Sequence, residues 1–406
     1  MVTNKEQNKL NVPHLRFPEF HGEWEKCKLG ELAVKVGSGS TPKGGNAVYT
    51  TSGHCFVRSQ NVGMGHLILN DIAYIDESTH QKQKSTELRT NDVLLNITGA
   101  SIGRTALATE EINGGNVNQH VCIIRTNGNV EPSYICDYIQ TSKIQKYIQS
   151  LQTGGSREGL NFEQIRSFPI NIPTVEEQVK IAKLLSLINE RIATQSKLIE
   201  DLKKLKSAII DYAIDSLDAD FVKFGSLYET AGEGGTPTTS NAQFYENGKI
   251  PFIKIDDLKQ KYLTENNDFI TELGLQKSSA WLVPTRSILF SNGATIGEIS
   301  ITTYTVCTKQ GILGIVPKQN IDVEFLYYFM SSSYFKKAVS RIVTEGTMKT
   351  AYLKDINNIL CPIPIKEEQQ EIAKMPSALN SKLDIEQSIL KLFGSQKQYL
   401  LRQMFM

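Results

Sequence analysis

The residue types that carry out catalysis are present in this chain, but they are not spaced for it. The 406 residues include six cysteines and six histidines. Cys27, Cys55, Cys122, Cys136, Cys307 and Cys361 are scattered and form no C-x-x-C pair, which argues against a zinc ribbon or a disulfide framework. They are expected to be reduced, mostly buried thiols. All histidines precede residue 121 and none forms H-x-x-x-H, so no metal is expected. Asp257-Leu-Lys259 is an acidic-x-Lys fragment without the upstream carboxylate a nuclease would need. A catalytic DNA methyltransferase of the amino-methylating kind needs an Asn/Asp-Pro-Pro-aromatic tetrad to hold a flipped base, and Pro362-Ile-Pro364 is not one. Gly39-Ser-Thr41 lacks the lysine of a nucleotide phosphate loop. Methyl transfer, nuclease chemistry and nucleotide hydrolysis are therefore set aside, and no cofactor is expected.

Composition narrows the class further. Lys plus Arg number 44 and Asp plus Glu 43, a net charge of +1. A generically sticky polycation is excluded, so contact with nucleic acid must come from local patches. With 40% hydrophobic residues, 16 Phe, 15 Tyr and 2 Trp, the chain can build two ordinary cores. The opening MVTNKEQNKLNVPHLRFPEF has no apolar stretch of signal-peptide length. No run approaches the ~18 apolar residues of a membrane helix. A soluble, cytoplasmic protein is expected.

The chain repeats itself. Gly37-Ser-Gly-Ser-Thr-Pro42 recurs as Gly232-Glu-Gly-Gly-Thr-Pro237, an offset of 195. Gly99-Ala-Ser-Ile-Gly103 recurs as Gly293-Ala-Thr-Ile-Gly297, an offset of 194. Gln119 matches Gln310, Ile165 matches Ile356, Pro173 matches Pro364, and Glu176-Glu177-Gln178 matches Glu367-Glu368-Gln369, all at 191. The drift is that of small loop deletions in the second copy. A period this long signals two copies of a whole domain plus one connecting element rather than a solenoid.

Each copy opens with short β-branched strands bounded by Gly, Asn and Pro. They are predicted at Cys55–Arg58, Val93–Ile97 and Val121–Arg125, then at Pro251–Ile255, Ser287–Phe290 and Ile312–Val316. A helix is predicted to follow at Pro132–Leu151 and at Asp322–Ile342. Each copy closes with a long helix. From Val175 to about Leu217 there is no Gly or Pro, and Ile188, Ile192, Ile199, Leu202 and Ile209 form a seam that Gln195 interrupts. The second seam runs through Leu379, Leu383, Leu390, Phe393 and Leu400, with Glu386 aligned to Gln195. Thr174-x-x-Glu177 fits a capping box opening the first helix. Pro376 replaces Leu185 and is expected to kink or restart the second helix.

Two helices of this kind hide their stripes most economically by packing antiparallel along the seams. A helix of ~40 residues spans ~60 Å. B-DNA advances ~34 Å per turn. A rigid bar with a reader at each end would touch two DNA segments across a fixed gap. A pseudo-two-fold axis would match the symmetry of the duplex backbone.

With these elements in place, the chain resembles the specificity subunit family of type I restriction–modification systems. The matching features are the Gly-x-Gly-x-Thr-Pro loops, the Gly-Ala-x-Ile-Gly segments, the Pro-x-x-Glu-Glu-Gln helix openings at 173–178 and 364–369, and the heptad helices. Leu15-Arg16-Phe17-Pro18-Glu19-Phe20 followed by Trp24 also fits. The resemblance implies an α+β fold: two tandem-repeated mixed α/β target-recognition domains joined by two long helices forming an antiparallel coiled coil about a pseudo-two-fold axis. Its parts would be an N-terminal segment (1–19), target-recognition domain 1 (20–172), a central helical spacer (173–217), target-recognition domain 2 (218–363) and a distal helical spacer (364–406). It implies partners as well: double-stranded DNA read as a split asymmetric site, two methyltransferase (modification) subunits docked on the helices, and restriction subunits. The chain itself would be non-catalytic.

Direct readout needs long polar side chains on loops, and phosphate contact needs Lys, Arg, Ser, Thr or backbone N–H. The candidates lie between predicted strands. They are Lys43 and Asn46, matched by Thr239 and Asn241; Arg58 and Gln60, matched by Lys254; Ser101 and Arg104, matched by Thr295; and Ser156 and Arg157, matched by Thr347 and Lys349. Residues 20–165 hold 13 Lys/Arg against 14 Asp/Glu, so no bulk excess marks a face. Glycine-rich loops also serve as plain turns, and a lone arginine such as Arg104 as a surface ion pair. The rival reading is a coiled-coil scaffold or adaptor that binds no DNA, which the near-neutral charge allows.

Overall fold

Val93–Asn96 is buried at all four positions. Side chains alternate across a strand. Val93 and Leu95 therefore enter one core and Leu94 another. The strand is the middle of an antiparallel sheet with order β2-β8-β5-β6: Ala33–Ser38, Val121–Thr126, Val93–Asn96 and Thr105–Leu107. One face packs on helices and the other on a small sheet, β4-β3-β7, formed by Ala73–Ile75, His54–Val57 and Asn116–Val117. A two-stranded pair, β1 (Glu25–Lys28) with β9 (Pro169–Ile172), completes the set. The computed structural model describes residues 11–44, 48–152, 159–293, 295–343 and 349–405.

The second half repeats this plan strand for strand. Tyr228–Glu233 (β11), Ile312–Pro317 (β18), Ile288–Ser291 (β15) and Ile299–Thr302 (β16) take the places of β2, β8, β5 and β6. The small sheet is formed by Phe269–Ile270 (β14), Ile250–Ile253 (β12) and Cys307–Thr308 (β17), and the pair by Phe221–Lys223 (β10) and Leu360–Pro362 (β19). Even the β-bulge is repeated, between Ala33 and Lys35 and between Tyr228 and Thr230. Among the described residues the one added strand is β13, Tyr262–Leu263, which runs parallel to β16. The α+β repeat is thus a repeat of topology.

Two expected helices are each divided. Pro132–Ile139 and Ser142–Ser150 replace one, and Val323–Ser331 and Ser333–Ile342 replace the other. The break comes from capping. Thr141 and Ser332 adopt extended backbone, and their hydroxyls accept from the Ile144 and Phe335 amides at 3.4 and 3.2 Å. A side-chain oxygen that satisfies an orphan N–H starts a new helix.

The long helices run Val175–Asp215 and Lys366–Gln403. The second passes through Pro376 without the restart that was one of the two expected outcomes there. Proline removes one intrahelical N–H there. Its ring is buried, so packing offsets the lost bond. The capping box at the first helix is only half formed. The Glu177 amide donates to the Thr174 hydroxyl at 3.4 Å, but the Glu177 carboxylate turns to Arg16.

The chain divides into two compact units, residues 1–196 with 389–406 and residues 197–388. Opposite ends of the two long helices meet within each unit. In the first, Ile181, Leu185 and Ile188 share a core with Leu400, Leu401 and Met404. In the second, Ile210 and Ile214 share a core with Ala373. Of the expected seam, Ile188, Ile199, Leu383 and Leu400 are buried; Ile192, Leu202, Ile209, Leu379, Leu390 and Phe393 are half-buried.

Candidate nucleic-acid interface

In each unit the fold gathers the polar loops at one edge. In the first, the Gly37–Pro42 loop lies against β7, where a Cβ on Gly39 would collide with the Val117 carbonyl. Thr41 donates its amide to Gln119 Oε1 at 2.9 Å, and its hydroxyl meets the same oxygen. Gln119 Nε2 donates to His120 Nε2 at 3.1 Å, which leaves the ring proton on Nδ1 to reach the Thr98 hydroxyl at 2.5 Å. Thr98 in turn forms a β-bridge with Gly159. The turn that carries Arg58 and Gln60 joins through Asn96 Nδ2, which donates to the Ser59 carbonyl at 2.8 Å. Loops 37–44, 58–61, 98–104 and 118–120 are therefore neighbours.

The second unit builds the same edge with different side chains. A Cβ on Gly234 would collide with the Thr308 carbonyl, as at Gly39. The Gln310 amide donates to the Thr236 hydroxyl at 3.3 Å, and the Gly311 amide to Glu233 Oε1 at 2.9 Å. Asn292 N donates to Gly311 O, and Ala351 N to Asn292 O, at 3.0 and 2.9 Å. Lys309 N donates to Ile253 O at 2.9 Å, which draws in the turn holding Lys254.

The predicted readers fall into three groups. Lys43, Arg104, Thr239, Thr295 and Lys349 are exposed on this edge, with Ser101 half-buried beside Arg104. Among the described residues, Lys43, Arg104 and Lys349 have no ion-pair partner. Four others are engaged by the fold. Arg58 Nη2 donates to the Asp71 carbonyl and carboxylate at 2.6 and 3.1 Å, and Gln60 Nε2 reaches the same carboxylate at 2.5 Å. Lys254 pairs with Asp268 at 2.7 Å, the same device one copy later. Asn241 caps a short turn by accepting from the Gln243 amide at 3.1 Å. Asn46, Ser156, Arg157 and Thr347 lie outside the described residues. The structure adds Lys309, Gln119 and Gln310, which stand at the edge in the turn before the second strand of the large sheet. A polar pair directly ahead of a β-branched run was the available signal.

Other shared motifs are framework. Gln178 Nε2 donates to the Pro173 carbonyl at 2.9 Å, and its Oε1 accepts from the Glu131 amide at 2.9 Å. Gln369 repeats this with Pro364 and Asp322, both at 2.8 Å. The Pro-x-x-Glu-Glu-Gln opening therefore clamps each long helix to the N-terminus of a domain helix. All six cysteines are free. Burial pushes the thiols of Cys122, Cys136 and Cys361 up to about 12 and those of Cys27 and Cys307 up to about 11, so they stay protonated. No three His, Cys, Asp or Glu side chains among the described residues group for a metal. No helix among the described residues is long and apolar enough to cross a membrane.

The two units differ where domain meets helix. In the first, Lys397 Nζ donates to Gln140 Oε1 at 2.8 Å, and Gln140 Nε2 donates to Asp137 Oδ1 at 3.1 Å. Burial pushes the Asp137 carboxyl up to about 7 while Lys397 and Gln140 pull it down; burial likewise lowers Lys397 against the pull of Asp137. In the second, buried Lys261 donates to the Tyr328 hydroxyl at 2.8 Å and the Ser377 hydroxyl at 3.0 Å, and pairs with Glu324.

Comparison with known proteins gives a consistent result. Residues 21–204 and 217–392 each match the family model described as the type I restriction modification DNA specificity domain. The specificity subunit of the type I restriction enzyme MjaIX from Methanocaldococcus jannaschii is 32% identical over 166 residues, 39% of this chain and 37% of that protein. The HindI specificity subunit from Haemophilus influenzae is 20% identical, over 80% of this chain and 86% of its own. The crystal structure of a type I restriction-modification S subunit from M. genitalium superposes with a TM-score of 0.59 at 17% identity, over 97% of this chain and 99% of that one.

Proposed function

The chain belongs to the type I restriction-modification DNA specificity domain family, and on that premise we propose that it reads a bipartite, asymmetric DNA site, one half-site per unit. One observation carries the reading. The same loop edge is built twice on one framework, while its outward side chains differ: Lys43 and Arg104 in one copy, Lys309 and Lys349 in the other. Two different half-sites require that combination. Exposed lysines and arginines supply phosphate contacts, and the loops supply base-edge donors and acceptors. The chain acts as the specificity component, in the cytoplasm, and the methyl transfer and cleavage belong to its partners.

The long helices supply the gap and the docking face. Their opposite ends share a core in each unit, which fits an antiparallel pair acting as a ruler. Leu198, Leu205 and Tyr212 are exposed at seven-residue steps on the first helix, and Ile385, Leu392 and Tyr399 on the second. Apolar rows left in solvent mark a protein partner. Two methyltransferase subunits are the occupants we assign, with restriction subunits joining that complex.

Methylation mapping of the assembled complex tests this reading. It should show one split motif with a fixed gap. Arg104→Ala should weaken recognition of one half by about 1–3 kcal/mol and leave the other intact. Arg157→Ala should act on that same half. Equal loss at both halves, or methylation without a split motif, would overturn the proposal.

A further inference from the structure

The two units also differ at a position that DNA reading does not explain. At the constant offset of 191, Gln140 and Gln145 of the first unit become Ser331 and Lys336 of the second, and Lys397 corresponds to Lys206. In the first unit the two amides fill the space beneath the neighbouring turns. Gln145 Nε2 donates to the Gly103 carbonyl at 3.0 Å, and a Cβ on Gly65 or Gly103 would meet Gln140 or Gln145 Oε1 at 2.6 Å. In the second unit the amides are gone and a cavity of about 260 Å³ is open.

Lys203, Lys206, Lys259 and Lys336 line that cavity, with Glu298 as its one carboxylate. Lys206 is half-buried and, among the described residues, reaches only the neutral Asn380 Oδ1, at 3.0 Å. Lys203, Lys259 and Lys336 have no ion-pair partner among the described residues. Nearby Lys261 is already matched by Glu324, and Asp384 accepts from Asn380 Nδ2 at 3.3 Å. Burial depresses the Lys206 ammonium. Asp384 opposes that, while Lys261, Lys203 and Lys336 add to it. Four lysines line one small space, three of them exposed, and Lys203 and Lys336 act on Lys206 as like charges, a repulsion that a bound anion relieves. Each ammonium offers three donors and no acceptor.

We propose that this cavity of the second unit is a binding site for a phosphoryl group, either free or carried on a nucleic-acid backbone. The ligand must be compact and multiply charged, because the space is small and the surplus is several charges. The first unit, closed by Gln140 and Gln145, lacks the site.

Thermal unfolding of the full chain in inorganic phosphate, against chloride at matched ionic strength, is the primary test. Phosphate should raise Tm saturably in the parent. Lys336→Gln, which copies Gln145, should raise Tm in chloride by removing repulsion and abolish the phosphate increment. The Lys203→Gln/Lys336→Gln pair should do both more strongly. Duplex binding by the chain assembled with its methyltransferase subunits then separates the sources. A held DNA phosphate contributes about 0.9 to the slope of log affinity against log salt. Loss of that increment in the double variant assigns a backbone phosphate; an unchanged slope with lost phosphate binding assigns a free phosphate. No phosphate effect on the parent, or an equal effect on parent and variants, would overturn the site. The phosphate measurement needs no DNA, so its failure is distinct from failure of the recognition proposal.

Discussion

The first unit ties its buried carboxylates Glu177 and Asp137 to Arg16 and, through Gln140, to Lys397, whereas the second, beside the pair of buried Lys261 with Glu324, keeps a surplus of lysines near solvent. In the first, Glu177 is fully buried and gripped by Arg16 through two bonds of 2.8 Å, and Arg16 also donates to the Gly22 carbonyl at 2.6 Å. The matching Glu368 is exposed. Asp137 and Lys397 are linked through Gln140 in the first, while in the second Tyr328 replaces Asp137 and lysines gather around Lys206. Asp211 binds the amide and hydroxyl of Ser333 in the second unit, both at 2.7 Å, where the first has exposed Arg402. A duplicated framework therefore tolerates opposite electrostatic solutions at its junctions. Strand pairing and the glutamine clamps hold the shape in both, which frees the junction charges to diverge.

The comparison breaks most visibly at Arg16. Arg16→Ala leaves a buried carboxylate uncompensated and should cost about 3–5 kcal/mol, read as lost hydrogen-exchange protection in residues 11–30 and 170–185. A loss under about 1 kcal/mol would show that the anchor lies elsewhere.

Asp137→Asn should act through pH. The folded carboxyl titrates near 7, above its unfolded value of 3.8, so it destabilises increasingly as pH rises from about 4 to about 7. The parent should lose stability across that window. The asparagine variant should lose less and stand about 1–3 kcal/mol above the parent at pH 8, with no difference near pH 4. Parallel urea-unfolding curves at the two pH values would contradict this.

Gln178→Ala and Gln369→Ala should each cost about 1–3 kcal/mol, because each strands a part-buried backbone amide and a helix-opening carbonyl. The two costs should agree, since the clamps are geometrically alike; a one-sided loss would show that the framework is less symmetric than its bonds. Glu368→Ala should change stability by no more than about 0.5 kcal/mol, in contrast to the Glu177 side.

Much of this fold was legible in the chain. The strand expected at Cys55–Arg58 forms at His54–Val57, and the helix expected to reach about Leu217 ends at Asp215. Periodicity and turn residues are local, so they survive without tertiary information. The divided domain helices were missed because Thr141 and Ser332 are compatible with a helix interior as well as a cap. That the helix does not restart at Pro376 was not legible, because the burial of its ring is a tertiary property. At the candidate edge, the loops were recognisable from their repeats, but the engagement of Arg58 and Gln60 with Asp71 was not.

By itself the sequence determined that one topology is used twice, where its glycines and strands fall, and that two heptad helices follow. Those properties depend on residue spacing along the chain. Only the tertiary structure decided which charges are free to meet a ligand. Arg16 finds Glu177 across 161 residues and Lys397 finds Gln140 across 257, while Lys336 finds no such partner among the described residues. Ion pairing acts through space over a few ångströms, so no local pattern announces it.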